Sequence, residues 1–137
     1  MEKINRNDYE KKVINLFVRS PAYELPSKRK DRLIVLHALS RVFKEGTYSE
    51  KEVNELIKGF LAQVIGFKVD HVKIRRALVD EGFLERTKDG ARYTVDKSKE
   101  IYSIFEDDIN DVNPKDLIRN AIEDVKTRRK KYTPDAS

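Results

Sequence analysis

The chain has 137 residues, 39% of them charged, with 29 Lys and Arg against 24 Asp and Glu, two His and no Cys. Without cysteine it can form no disulfide, cysteine-based zinc site or thiol nucleophile, and its opening residues, MEKINRNDYEKK, hold no apolar run of the signal-peptide kind. No stretch approaches the roughly 18 apolar residues of a membrane span, so the expectation is a globular, mainly helical, cytoplasmic protein that makes no use of a membrane.

The net charge of +5 is unevenly spread: residues 1–26 carry +1, residues 27–95 carry +5, residues 96–125 carry −5 and residues 126–137 carry +4. A basic middle and a basic tail favour a polyanionic partner, while an ordinary solvated surface accounts equally well for a charge of this size.

Asn7 with Glu10 three residues later reads as a variant capping box, and Tyr9, Val13, Leu16 and Phe17 follow at helical spacing. A first helix is therefore expected over about 8–19. The segment SPAYELP at 20–26 carries two prolines and should be a turn. A second helix is expected from a Ser27 cap to Gly46, with Leu33, Leu36, Leu39, Val42 and Phe43 wrapping far enough around for contact on two sides.

In TYSEKEVNELIKGFL, Ser49 and Glu52 have the spacing of a reciprocal capping box, and Val53, Leu56, Ile57 and Phe60 form one apolar stripe. Thr47 and Tyr48, just ahead of it, suit a short strand. A further helix should run from Asp70 to Glu81 and stop at Gly82. Then Phe83–Lys88 and Ala91–Val95 alternate around Asp89-Gly90, the preferred chemistry of a two-residue primed turn.

Helix, short strand, helix, helix, hairpin is the order of a winged helix-turn-helix. The fold class is accordingly mainly α with a small β-hairpin wing, flanked by N- and C-terminal helices. The expected division is 1–26 for the N-terminal helix and its connector, 27–95 for the core, 96–112 for an acidic connector, and 113–137 for a C-terminal helix with a basic tail. The blocks LPSKRKDRLIVLHAL, TYSEKEVNE, IRRALVDEGFLER and DGARY, spread over about residues 25–95, resemble a bacterial family, domain of unknown function 2087. That resemblance implies likeness to winged-helix regulators; some members carry a separate metalloregulator-type DNA-binding domain ahead of this one, and no second such domain is expected in this chain.

On the helix over 70–81, a step of about 100° per residue puts His71, Ile74, Ala77 and Leu78 on one face and Lys73, Arg76 and Asp80 on the other. Arg76 is thus free to meet phosphate or a guanine edge, whereas Arg75, nearer the apolar side, is expected to pair with Glu52 or Glu55. In the hairpin, Leu84, Tyr93 and Val95 should cover the core, with Glu85, Thr87, Arg92 and Thr94 outward. Lys68, Lys73, Arg76, Lys88 and Arg92 are the candidate nucleic-acid-binding residues. Asp80, Glu85 and Asp89 oppose that reading, so a module of the same shape that binds protein or RNA stays open.

Enzymatic readings find little support. His37 and His71 each sit beside core-facing residues, and two histidines without cysteine make a poor metal set. There is no Gly-rich phosphate loop and no nucleophile elbow, so no catalytic residue, metal or cofactor is expected. Glu50 and Glu52 fit a helix start, and Glu106, Asp107 and Asp108 a solvated connector.

The last segment opens with Asn113 as cap and Pro114 at the first helical position. Its stripe of Leu117, Ile118, Ala121, Ile122 and Val125 either packs back on the first helix or joins it in a homodimer interface. The reading reached from sequence is a non-catalytic regulator of transcription that binds double-stranded DNA. Its operator, the sign of its regulation and any effector are outside what sequence gives.

Overall fold

The structure is a computed structural model and describes residues 2–19 and 22–132. Ser20 and Pro21 of the expected turn, and the side chains of Lys130 and Lys131 in the basic tail, lie outside the described residues. Helix α1 spans Arg6–Ile14 and runs on as a widened π-type turn over Asn15–Arg19. Its cap is Asn5, whose side-chain oxygen accepts the Asp8 amide at 2.8 Å, and not Asn7. Asn5 precedes Asp8 by the three residues that a capping side chain needs, which moves the helix start two residues earlier than expected.

Helix α2, Arg29–Ser40, is the centre of the molecule: every residue from Leu33 to Ser40 is buried. It starts after Lys28 with no side-chain cap, so Ser27 does not cap it, and it ends at Ser40, six residues before Gly46. Val42 and Phe43 keep helical spacing only because the chain leaves α2 through tight turns, with the Val42 and Phe43 amides donating to the Leu39 and Ser40 carbonyls. Gly46 instead opens strand β1, Gly46–Ser49.

Helix α3, Glu50–Leu61, begins with the full capping box, Ser49 and Glu52 each accepting the other's amide. Val53, Ile57 and Phe60 are buried along it. Helix α4, His71–Glu81, is capped by Asp70, which accepts the Val72 amide at 3.1 Å, and ends at Gly82 with φ +94°, a left-handed position that glycine adopts without strain.

Strands β2, Glu85–Arg86, and β3, Arg92–Val95, complete a three-stranded antiparallel sheet in the order β1-β3-β2. The register pairs Glu85 with Thr94, Arg86 with Tyr93, Tyr48 with Tyr93 and Ser49 with Arg92. Leu84, Tyr93 and Val95 are buried, as the alternation requires. The turn, however, is not a two-residue primed one. Thr87 and Arg92 close the ladder, the Gly90 amide donates back to the Thr87 carbonyl, and only Gly90 has positive φ. Asp89 accepts bonds from the Thr87 hydroxyl and the Ala91 amide, a local arrangement that holds the tip as a four-residue loop.

Residues 96–112 are acidic on the solvent side, where Glu106, Asp107 and Asp108 are exposed, and apolar on the inside. Short helix α5, Glu100–Ser103, and the 3₁₀ turn Asp107–Asp111 bring Phe105, Ile109 and Val112 into the core. Phe105 forms a parallel bridge with Ile4, with Ile4 donating to the Ile104 carbonyl at 2.7 Å and Glu106 donating to that of Ile4 at 2.9 Å. Helix α6, Pro114–Tyr132, starts as expected, Asn113 accepting the Lys115 amide at 3.1 Å. It packs on α1 and on the turn after it, burying Ile118 and partly burying Leu117 and Ile122. Of the apolar stripe, Ile118 thus finds full cover in its own chain, while Leu117, Ala121, Ile122 and Val125 are half-buried.

Candidate nucleic-acid interface

Helix α4 is fixed from three sides. Ile74 and Leu78 anchor it in the core, and at its C-terminal end Glu81 receives both Arg29 and Arg32 of α2 at 3.3 Å. On its flank, Arg75 is the third anchor: its side chain is 13% exposed and meets Glu50 at 2.9 Å, Asn54 at 2.6 Å and the face of Tyr93 at 6.0 Å. The role is the structural one expected, with a different partner. Glu52 is already committed to the capping box, which holds its carboxyl below the usual range through the Ser49 amide and hydroxyl, and Glu50, one residue into α3, takes the guanidinium instead.

The opposite face of α4 carries Lys73, Arg76 and Asp80, all exposed. Lys73 is tied to Glu24 at 2.7 Å, which offsets its charge. Arg76 has no ion-pair or hydrogen-bond partner among the described residues. It lines a cleft of about 430 Å³ between α4 and the hairpin, together with Glu50, Arg75, Val79, Asp80, Arg86 and Tyr93.

The candidate residues fall into two groups. Lys73 and Arg76 share the outer face of α4, with Lys68 exposed on the approach to that helix, where its amide donates to the Ala22 carbonyl at 2.7 Å. Lys88, in the loop, and Arg92, on β3 opposite Ser49, are exposed on the hairpin. Arg76 alone of the five lines the cleft.

Arg86 joins the two groups, and sequence reasoning passed over it. Its Nε donates to the Gly90 carbonyl at 3.3 Å, its guanidinium stands 6.0 Å from the Tyr93 ring, and it enters the cleft from the β-edge. The signal was present: direct pairing with Tyr93 puts residue 86 on the inward face of the strand, and a long cation there must emerge beside α4.

The opposing acids also separate. Asp89 is held by Thr87 and Ala91, and these bonds keep its carboxyl below the usual range. Glu85 pairs with Lys99 at 3.3 Å. Asp80 has no partner among the described residues.

His37 is a satisfied core residue, bonded to the Tyr9 hydroxyl at 2.8 Å, and His71 lies 3.3 Å from Asp70. Among the described residues no three His, Asp or Glu side chains gather where a metal ion would fit, and no helix is long and apolar enough to cross a membrane.

No curated protein and no solved structure matches the chain. A family model described as "Uncharacterized protein conserved in bacteria (DUF2087)" matches residues 23–95, from the segment ahead of α2 to the end of β3. That span covers more than half of the sequence and contains α4, the hairpin and the cleft between them, so the chain belongs to the DUF2087 family.

Proposed function

We propose that this protein is a winged-helix, DNA-binding regulator of transcription that acts without a catalytic step. The succession α2, β1, α3, α4, β2, β3, with β3 central in the sheet, supports the winged-helix reading of the topology. In that reading α4 enters the major groove, the β2–β3 hairpin is the wing, and Lys68, Lys73, Lys88 and Arg92 contact phosphates. The observation that carries it is the cleft that Arg76, on the outer face of α4 and without a partner among the described residues, lines together with Arg86 from the hairpin. A homodimer through α1 and α6 would present two such helices to a palindromic site, about 34–36 Å apart.

A second reading, a protein-binding module of the same shape, rests on Tyr23 and Ile65. Both are 67% exposed, and they flank the Ala22–Phe67 bridge.

Binding of fluorescent random-sequence duplex at about 50 and 200 mM salt separates the two. Weak, salt-sensitive binding is expected, with the salt slope reduced by about one in Lys88→Ala, and Arg76→Ala costing roughly 1–3 kcal/mol on a selected site. No duplex binding at about 50 mM salt with protein at about 100 μM, the upper end of the usual range of non-specific dissociation constants at physiological salt, would sink the DNA reading.

A further inference from the structure

The acids that stand against a DNA interface are not equivalent. Asp89 is consumed by the hairpin loop and Glu85 by Lys99, whereas Asp80 lines the same cleft as Arg76 with no partner among the described residues. Arg76 and Asp80 are four residues apart on one helix, which sets them one turn, about 6 Å, apart along the axis and on the same face. At that spacing a salt bridge between them is ordinary, yet none forms. Arg75, next door, is by contrast saturated by Glu50 and Asn54.

An unpaired donor fork and an unpaired acceptor, side by side on an exposed helix face, match a surface that offers acceptors and a donor together. A phosphate backbone offers acceptors only and would be repelled by Asp80. The major-groove edge of a G·C pair offers both: guanine presents O6 and N7, and cytosine presents its N4 amine. We infer that Arg76 and Asp80 form a two-residue reading unit, Arg76 donating to a guanine and Asp80 accepting from a cytosine amine on the adjacent base pair. This inference rests on the DNA-binding reading. It assigns Asp80 a positive role in sequence choice and leaves Arg86, braced on Gly90 and Tyr93, as the neighbouring phosphate contact.

Selection from a random duplex library by the full chain, followed by competition binding, tests it. The wild type should select a site containing a guanine and a cytosine at fixed spacing. Asp80→Ala should lose preference at the cytosine position by roughly tenfold while keeping it at the guanine, and Arg76→Ala should do the reverse. Asp80→Asn, which preserves shape, should move the preference from cytosine toward adenine, the base an amide recognises. Asp80 is exposed and unpartnered, so folding of these variants is expected to be unchanged, which circular dichroism checks. Asp80 variants that bind every sequence more tightly with an unaltered preference overturn the inference, since Asp80 would then only repel phosphate. Wild-type binding without any preference also overturns it while leaving DNA binding intact, and absence of duplex binding removes both.

Discussion

His37 sits in α2 at 3% exposure, with the Tyr9 hydroxyl 2.8 Å from its Nδ1 and the Phe105 ring 4.1 Å away, centre to centre. Burial, then the positive charges of Arg41 and Lys97, push its pKa down to about 3. The folded ring is therefore neutral throughout the range in which the unfolded chain, with an ordinary histidine near 6.5, takes up a proton. Between those values the unfolded state binds more protons, so stability is complete above about pH 6.5 and is lost progressively as pH falls toward 3. The full effect is on the order of 4–5 kcal/mol. Chemical denaturation at several pH values should show this fall, and His37→Leu should flatten it; a His37 ring that titrates by NMR near pH 6 in the folded protein would contradict the assignment. The sequence showed His37 among apolar neighbours, which favoured a structural role for it over a catalytic one. It did not show Tyr9, because that contact joins helices 28 residues apart.

Helix ends were legible where the stop or start signal is chemical, and less so where it depends on tertiary packing. The Ser49 capping box, the Asp70 cap, Gly82 and the Asn113-Pro114 start all stand where their residue types place them. The end of α2 was missed because Val42 and Phe43 stay apolar at helical spacing while the backbone has already turned to feed β1. The hairpin tip was misread for a different reason: Asp89-Gly90 favours a primed turn, but Thr87 supplies a hydroxyl that binds Asp89 and accepts the Arg92 amide, and this local bonding wins. Of the candidate interface, the outward face of α4 was readable from period alone, whereas the pairing of Lys73 with Glu24 and the entry of Arg86 depend on how α4 meets other segments. Two glycines give this level a test with opposite signs. Gly82→Ala places a side chain at φ +94° and should cost about 1–2 kcal/mol, although a Cβ there would meet only Ile101 at 3.8 Å. Gly59→Ala, inside α3 with nothing within 4 Å of its Cβ, should add roughly 0.4–1 kcal/mol. Thermal melts of the two variants shifting in the same direction would refute the pair of assignments.

For the molecule as a whole, the question is what α6 does. Ile118 is 2% exposed and belongs to the main core, so α6 is part of the fold of one chain before it is part of any assembly. Removing residues 113–137 should destabilise the protein by several kcal/mol, since loss of Ile118 alone withdraws about 1.5–3 kcal/mol of burial. The proposed homodimer is a separate matter. One flank of α6 is only half-covered, where Ile122 lines an open groove with Val64 and the exposed Ile65 above the buried Ile118 and Phe60. Light scattering on the intact chain should give twice 16.0 kDa; a mass of one chain at micromolar concentration would overturn the homodimer.

The Ile4–Phe105 bridge carries a consequence for the order of events in synthesis. It closes a loop of roughly a hundred residues, the kind of contact whose entropic cost falls on the late stages of folding. At about 5–20 residues per second of translation, Ile4 leads its partner by roughly 5–20 seconds, and the sides of α1 and of the turn after it that pack on α6 wait still longer. Throughout that interval α2 already offers His37 to Tyr9, but the side of α1 that Phe105 and α6 cover stays open, and it is this face that invites capture by chaperones or by neighbouring copies.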